Sequence, residues 1–166
     1  MKVSIITVCY NSASTIDDTI QSILSQDYED IEYLIIDGVS SDNTLEIANK
    51  YSAKIAIIRS EPDKGMYDAI NKGIQLCTGD IVGILNADDI YIDNKVIEEV
   101  VSKMRNENAD SLYSDLYYVA TEDTNKVIRN WVSGKYNRQK FLYGWMPPHP
   151  TFFVKKSAYE KYGVFN

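Results

Sequence analysis

The sequence predicts an α/β protein built on a mainly parallel β-sheet that is flanked by helices and followed by a smaller antiparallel part. Short apolar runs rich in β-branched residues alternate with amphipathic segments of helical length as far as residue 106. This alternation occurs four times, and repeated strand–helix units of that kind form parallel sheets with right-handed crossovers. Further along the chain, two strand-like runs are joined by a polar connection, which indicates antiparallel pairing.

The elements of the first part follow from hydrophobic periodicity. A nearly continuous apolar run such as VSIITVC is typical of a strand buried on both faces. Apolar residues at a spacing of three or four, such as Ile16, Ile20 and Ile23, are typical of an amphipathic helix. On this basis we predict strands at 3–9, 33–36, 55–58 and 81–85, and helices that follow a cap at Ser14, span 44–51 and 66–76, and run from a cap at Asp93 to about residue 106.

The last third of the sequence has a different pattern. Residues 112–119 and 127–132 are predicted to form two antiparallel strands. A rigid, proline-rich loop at 145–150 leads into a short strand at 151–154 and a short helix at 156–162. A parallel part therefore precedes an antiparallel part.

Composition and charge exclude several classes of protein. With 45% hydrophobic and 25% charged residues, the 166-residue chain has the composition of a globular domain. A net charge of −7 without a basic stripe argues against a nucleic-acid partner, and a bound cation would have to offset the charge of any phosphate ligand. The two cysteines form no CxxC pair, and neither a secretory leader nor a membrane-length apolar run is present. A reduced, cytoplasmic setting is therefore expected, with peripheral attachment to a membrane left open.

Asp88 and Asp89 form an adjacent pair of carboxylates directly after an apolar run. Adjacent anions repel each other unless a cation lies between them. A helix cap or a polar turn is the simplest structural explanation, but the position at the end of a predicted parallel strand favours a function. Carboxylate oxygens suit Mg²⁺ or Mn²⁺, which such sites share with substrate phosphates.

Other polar side chains lie at the same predicted edge of the sheet. Tyr10 and Asn11 follow the first strand, and Asp37 ends the second. Each of these side chains either shapes its loop or contacts the base and ribose of a nucleotide. Asp63 and Lys64 lie in a loop before a helix, where a lysine would offset the charge of a diphosphate. The first loop lacks GxGxxG and GxxxxGK[ST], which argues against the commonest NAD and ATP sites.

His149 is the only histidine in the sequence. A lone histidine is more often structural than catalytic. Its position between two prolines, in a stiff loop that also contains Trp145, strengthens the case for a binding role without deciding it.

Four segments, SIITVCYNSASTI, YLIIDGVSSDNT, SEPDKGMYDAINKGI and GDIVGILNADDIY, closely resemble the family 2 glycosyltransferases and occur in that family's order. The resemblance is nearest to bacterial members that build capsule, O-antigen and other exopolysaccharides. It implies a GT-A fold, with a Rossmann-like nucleotide-sugar-binding half at 1–110 and the start of an acceptor-binding half at 111–166. It also implies inverting transfer of a sugar from a nucleotide diphosphate donor, a UDP-sugar being favoured. The implied acceptor is a saccharide or lipid-linked saccharide, reached in the cytoplasm or at the inner face of the membrane.

The resemblance assigns nucleotide contacts to residues that match the family's motifs. Tyr10 is similar to the aromatic residue that stacks on the base, and Asn11 follows it in the same motif. Asp37 is similar to an acid that contacts the base, and Asp63 and Lys64 match the loop that lines the nucleotide. The family often has Asp-Asp-Gly-Ser where this chain has DGVS, so a second base-contacting acid is absent here.

The resemblance also assigns the metal and part of the catalytic machinery. Asp88 and Asp89 are similar to the DxD-type motif, which holds the ribose and the Mn²⁺ or Mg²⁺ that bridges the diphosphate. His149 is expected to face the donor sugar or the acceptor. The family's catalytic base is an Asp or Glu shortly after a G-x-F-x motif, which residues 163–166 match, so the base is expected beyond Asn166. We therefore expect a fragment that binds the donor, lacks the general base and transfers little sugar by itself.

Three other classes of protein compete with this interpretation. A sugar-phosphate nucleotidyltransferase needs a Gly-rich, Arg-containing loop after the first strand, where this chain has YNSAST. A phosphoacceptor receiver domain needs its acid pair after the first strand, whereas here the pair follows the fourth. A non-catalytic nucleotide-sugar-binding or scaffold domain on the same fold stays open.

Overall fold

The central strand of the structure consists of seven buried residues, from Val3 to Cys9. The computed structural model describes residues 1–166 and contains eight strands. In chain order these are β1 (Val3–Cys9), β2 (Ile31–Asp37), β3 (Ile57–Ser60), β4 (Ile81–Ile84), β5 (Ser111–Leu112), β6 (Leu116–Ala120), β7 (Asp123–Trp131) and β8 (Phe153–Lys155). Six of them form one sheet in the order β3-β2-β1-β4-β8-β5, and β6 pairs with β7 in a separate antiparallel hairpin.

Helices cover both faces of the large sheet. They are α1 (Ile16–Leu24), α2 (Thr44–Asn49), α3 (Met66–Leu76), α4 (Val96–Asn106) and α5 (Lys156–Tyr162), with 3₁₀ helices at Arg138–Tyr143 and His149–Thr151. Because side chains alternate along a strand, Ile5 packs with α1, α2 and α4 on one face, and Ile6 packs with α3 on the other. None of the helices has the length and apolar character needed to cross a bilayer.

The predicted mainly parallel sheet is confirmed. β1 pairs in parallel with both β2 and β4, and β2 pairs in parallel with β3. The carboxyl ends of these four strands therefore lie at one edge, which is where open α/β sheets bind their ligands. β8 runs antiparallel between β4 and β5 and extends the sheet on one side.

The predicted strand at 112–119 is wrong, because this segment divides between two sheets. β5 lies in the large sheet, whereas β6 lies in the hairpin. Hydrogen bonds to side chains stabilise the break between β5 and β6. The amide of Ser114 donates to Thr151 Oγ1 at 3.1 Å, and Asp115 Oδ1 accepts from the amide of Ser133 at 2.8 Å. These partners are distant in sequence, so local periodicity contains no signal for the break.

Two smaller differences concern β3 and α4. The strand predicted at 55–58 begins only at residue 57, because Ile55 packs into the core from the preceding loop. Asp93, the predicted cap of α4, lies ahead of the helix. The amide of Ile97 instead donates to Gln26 Oε1 at 3.1 Å, so a side chain just beyond α1 satisfies the start of α4.

A buried carboxylate, that of Glu32, lies at the amino edge of the sheet, opposite the carboxyl edge. Glu32 accepts hydrogen bonds from Lys2 Nζ at 2.8 Å and from Ser4 Oγ at 2.6 Å. It also accepts from the amide and the hydroxyl of Thr78, each at 2.6 Å. Burial alone would raise the pKa of Glu32, but these hydrogen bonds outweigh it and lower the pKa to about 2. Glu32 thereby links the starts of β1 and β2 to the loop before β4.

Candidate functional site

Three loops meet at the carboxyl edge of the parallel strands. Tyr10 follows β1, Gly38 follows β2 and Asp63 follows β3. A methyl group placed on Gly38 would lie 2.5 Å from Asp63 Oδ2 and 3.5 Å from the Tyr10 ring carbon Cδ2. Tyr10 is 66% exposed, so its ring is accessible, whereas Asp63 is half-buried. The structure therefore brings the predicted site residues Tyr10 and Asp63 together beside the backbone of Gly38, which has no side chain.

Hydrogen bonds join the loops after β1 and β2. The amide of Asn11 donates to Ser40 Oγ at 2.8 Å, and Asn11 Oδ1 accepts from the amide of Ser41 at 2.8 Å. The amide of Ser12 donates to Thr44 Oγ1 at 2.7 Å. Asn11 thus braces one loop against the other, and its predicted contact with a nucleotide stays a prediction.

Asp37 is fully buried at the end of β2. Its Oδ1 accepts from the hydroxyl of Ser40 and from the thiol of Cys9 at 3.6 Å. Its Oδ2 accepts from the amide of Ser40 at 3.0 Å and from Ser60 Oγ at 2.6 Å. Burial and the adjacent carboxylate raise the pKa of the Cys9 thiol far above its usual value. Asp37 therefore supports the loop after β2, and its predicted contact with a base requires one of these bonds to open.

Val39 has a strained backbone in this same loop. Its φ of 64° lies in the left-handed region, which β-branched residues rarely occupy. Its side chain is 50% exposed, so no tight packing explains the residue choice. The Asp-Asp-Gly-Ser motif of the resembled family has glycine at this position, which tolerates such a conformation. Sequence reasoning noted the altered motif and missed the strain.

Val39→Gly is expected to stabilise the protein by about 1 kcal/mol, because glycine adopts the left-handed conformation without a clash between Cβ and the backbone. Urea unfolding of the two proteins measures the difference. Val127→Gly is the control: Val127 is exposed in β7 and its φ is not positive, so glycine there should be destabilising by about 0.5–1 kcal/mol. A loss of stability in both variants would contradict the strain at Val39.

The carboxylate pair lies in a turn just beyond β4. Asp88 is exposed and Asp89 is half-buried. Asn86 Nδ2 donates to Asp89 Oδ2 at 3.1 Å, and Thr19 Oγ1 donates to the carbonyl of Asp89 at 2.9 Å, which ties the turn to α1. Burial, and then the neighbouring charge of Asp88, raise the pKa of Asp89 to about 6. A cation at this turn would relieve both effects.

The donor atoms at this turn fit a divalent cation that takes further ligands from a diphosphate. Asp88 and Asp89 offer carboxylate oxygens, and the buried Asn86 Oδ1 has no hydrogen-bond partner. No group of three or more His, Cys, Asp or Glu side chains forms a closed metal site within residues 1–166. The remaining ligands would therefore be phosphate oxygens and water, as is usual for Mg²⁺.

His149 lies next to the loop that contains Asp63 and Lys64. Its ring packs edge-on against Tyr67, at 6.4 Å between ring centroids, and against Phe165, at 6.1 Å. Tyr67 is in the first turn of α3, directly after that loop. Burial lowers the pKa of His149, so the ring is neutral at pH 7, and its Nε2 is buried without a partner. Lys64 is exposed in that loop.

Asn71 is a residue of this region that sequence reasoning missed. Its Nδ2 donates to the carbonyl of Phe165 at 2.7 Å, and its Oδ1 accepts from the amide of Phe165 at 3.0 Å. The paired bonds hold residues 163–166 on α3, where Phe165 contacts His149. The two partners are 94 positions apart, so no local pattern could reveal this contact.

The general base is predicted to lie beyond Asn166, shortly after the motif at 163–166. Asn166 itself is exposed, and the bonds between Asn71 and Phe165 fix the backbone directly before it. Its side chain is a neutral amide, which does not serve as a proton acceptor in the way that a carboxylate does. Asn166 therefore does not supply the base, and the predicted position of the base after Asn166 stays a prediction that residues 1–166 do not test.

The fold is that of the GT-A glycosyltransferases, as predicted. The chain superimposes with a TM-score of 0.75 on S. aureus TarS 1-349 in complex with UDP-GlcNAc, at 20% identity, covering 97% of this chain and 47% of that one. It superimposes with the same TM-score on the mannosyltransferase PcManGT from Pyrobaculum calidifontis in complex with GDP-Man and Mn²⁺. That likeness has 18% identity and covers 99% of this chain and 47% of PcManGT.

The chain belongs to glycosyl transferase family 2, whose family model matches residues 4–163. It is 30% identical over 167 residues to a PGL/p-HBAD biosynthesis glycosyltransferase of Mycobacterium bovis, a match that covers 98% of this chain and 62% of that protein. It is 32% identical over 132 residues to the Escherichia coli UDP-Glc:alpha-D-GlcNAc-diphosphoundecaprenol beta-1,3-glucosyltransferase WfgD, covering 79% of this chain and 51% of WfgD. The chain thus spans at most about 62% of the length of these relatives.

Proposed function

We propose that this chain binds the donor of an inverting glycosyltransferase of cell-surface polysaccharide synthesis. The enzyme would move a sugar from a nucleotide diphosphate to a saccharide or lipid-linked acceptor, in the cytoplasm or at the inner face of the membrane. The observation that carries the proposal is the meeting of Tyr10, Gly38 and Asp63 at the edge where β4 delivers Asp88 and Asp89. A UDP-sugar is favoured because the relative WfgD is named for UDP-Glc.

The nucleotide would occupy the three-loop junction. The exposed ring of Tyr10 stacks on the base, an interaction worth about 1–3 kcal/mol per base in single-stranded nucleic-acid complexes. Gly38 has no side chain, so the nucleotide can approach its backbone closely. Asp63 accepts a hydrogen bond from the base or the ribose. Lys64, exposed at the end of the same loop, offsets diphosphate charge in a chain that is acidic overall.

Asp88 and Asp89 would hold Mn²⁺ or Mg²⁺, and Asp88 would also contact the ribose. When bound, such an ion neutralises the diphosphate as the leaving group departs. The raised pKa of Asp89 supports this assignment, since it reflects a buried charge without a counter-ion.

Transfer would form a bond between the acceptor oxygen and the anomeric carbon while the bond from that carbon to the diphosphate breaks. Attack from the face opposite the diphosphate inverts the configuration. The proton of the acceptor hydroxyl passes to a general base, for which we assign none of the residues above. His149, neutral and beside the donor loop, is proposed to contact the sugar or the acceptor. We expect residues 1–166 to bind the donor and to transfer little sugar by themselves.

Calorimetric titration with UDP, GDP and dTDP, each with and without Mn²⁺, tests the proposal. One nucleotide should bind in the presence of the metal and much more weakly in its absence. A folded protein that binds none of the three under either condition would contradict donor binding by these residues. Metal-dependent binding together with efficient transfer would support the enzyme and contradict the expectation of low activity.

Gly38→Ala is expected to weaken nucleotide binding by about tenfold, because the new methyl group would displace the carboxylate of Asp63. The φ of Gly38 is not positive, so alanine fits the backbone and stability should change by less than about 1 kcal/mol. Calorimetry with the preferred nucleotide measures the effect.

A double variant tests whether Gly38→Ala weakens nucleotide binding only by displacing Asp63. If the methyl group acts only through Asp63, Gly38→Ala/Asp63→Ala should bind as Asp63→Ala does. A further loss in the double variant would show that Gly38 contacts the nucleotide independently of Asp63.

A further inference from the structure

Residues 135–146, the tip segment, present an exposed apolar surface. Leu142 and Tyr143 are 84% and 88% exposed at the end of the 3₁₀ helix, and Met146 is 66% exposed. Arg138, Phe141 and Leu142 line one cavity, which places a guanidinium group beside these apolar side chains. Exposed apolar side chains grouped in this way mark an interaction surface.

An aromatic cluster holds the tip segment in place. Trp145 packs against Phe141, with 5.3 Å between ring centroids, and against Tyr113, with 5.7 Å. The indole Nε1 of Trp145 donates to the carbonyl of Ser133 at 3.1 Å, and the hydroxyl of Tyr113 donates to the carbonyl of Gly134 at 2.9 Å. The segment is thus anchored at both ends, and its exposed side chains are presented from a fixed base.

The charge around the tip segment is opposite to that of the rest of the chain. Five of the 17 lysines and arginines lie within residues 124–146, and none of the 24 aspartates and glutamates does. Lys135, Arg138 and Lys140 belong to the tip segment itself, and none of them forms an ion pair. A basic apolar surface on an otherwise acidic protein is complementary to an anionic lipid bilayer.

We propose that the tip segment docks this protein on an anionic lipid bilayer. Lys135 and Arg138 face the lipid phosphates, and Leu142 and Tyr143 enter the interfacial region. The biological role of this docking rests on the proposed function, because the lipid-linked acceptor of the proposed reaction is embedded in such a bilayer. The docking itself needs no nucleotide, so either proposal can fail without the other.

Cosedimentation with vesicles tests the proposal. Vesicles of phosphatidylcholine alone are compared with vesicles that contain roughly one-third phosphatidylglycerol. We expect binding to the anionic vesicles only, and weaker binding as salt is added. Lys135→Glu/Arg138→Glu should lower the partition coefficient about tenfold or more, whereas the control Lys50→Glu/Lys54→Glu, with the same net charge, should leave it nearly unchanged.

A second pair of variants tests the apolar side chains of the tip segment. Leu142→Ser/Tyr143→Ser should lower the partition coefficient about tenfold, and Ile92→Ser/Tyr162→Ser, at exposed apolar positions elsewhere, should not. Nucleotide binding by all four variants, measured in parallel, should match that of the parent protein.

Absence of binding to anionic vesicles would overturn the proposal, as would equal losses in the test and control variants. A dimer in size-exclusion chromatography that Leu142→Ser/Tyr143→Ser abolishes, without vesicle binding, would also overturn it and assign the surface to a second copy of the chain.

Discussion

Asp89→Asn is expected to stabilise the nucleotide-free protein and, at the same time, to weaken metal-dependent nucleotide binding. The half-buried carboxylate has a pKa of about 6, against an ordinary value of 3.8. Its ionisation therefore costs folding free energy on the order of 3 kcal/mol at neutral pH. The amide carries no charge, so this cost disappears. Loss of one carboxylate from the metal should weaken binding by roughly 10–100-fold.

The pH dependence has a definite sign. Because the folded-state pKa is raised, the protonated form of Asp89 favours folding, and this contribution is complete below pH 3.8 and is lost as pH rises through about 6. The advantage of Asp89→Asn should thus be largest at about pH 7.5 and small near pH 4, as measured by urea unfolding without metal.

Asp88→Asn is the matched control, because Asp88 is exposed in the same turn. It should also weaken metal-dependent binding, with a smaller gain in stability that comes from relief of its repulsion of Asp89. Equal stability of Asp89→Asn and the parent protein at neutral pH would contradict the conclusion that the charge of Asp89 destabilises the folded protein.

Glu32→Ala is expected to lower the free energy of unfolding by about 3 kcal/mol, since it leaves the buried hydroxyl of Ser4 and the amide of Thr78 without this acceptor. Ser4 and Thr78 each lose a partner, whereas Lys2 can turn to water. Urea unfolding at neutral pH measures the loss. Glu29→Ala, at an exposed position just before β2, should change stability by less than about 0.5 kcal/mol.

The network of Glu32 also predicts acid sensitivity. Its folded-state pKa of about 2 lies below the ordinary 4.5, so its stabilising contribution is present above pH 4.5 and is lost as pH falls towards 2. Glu32→Gln should remove this part of the acid sensitivity. Because Glu32 lies at the amino edge of the sheet, far from the candidate site, both variants should bind nucleotide normally while folded. Weaker binding by folded Glu32→Gln would contradict this separation of the two edges.

The sequence predicted the parallel half of the fold well because its signals are local. Apolar runs marked β1, β2 and β4, and spacing of three or four marked α1 and α3. Parallel pairing then placed Tyr10, Asp63 and Asp88 at one edge without further information. The break within 112–119 was not predictable, since it depends on hydrogen bonds to Ser133 and Thr151 that form only in the folded chain.

The details of the site were predictable only in part. Asp37 was recognised as the acid at the end of β2, but its enclosure by Ser40, Ser60 and Cys9 depends on packing that periodicity does not reveal. The left-handed conformation of Val39 was not predictable, because valine rarely adopts a positive φ. Asn71 and Phe165 meet across 94 positions and left no local signal.

Diffraction from a crystal grown with Mn²⁺ and the preferred nucleotide diphosphate, recorded for the anomalous signal of manganese, tests the central claim most directly. We expect a single strong anomalous peak between the diphosphate and the carboxylates of Asp88 and Asp89, with the base stacked on Tyr10 beside Asp63. A nucleotide bound elsewhere would contradict the assignment of this edge as the donor site. A nucleotide at this edge with manganese away from both carboxylates would contradict the metal site.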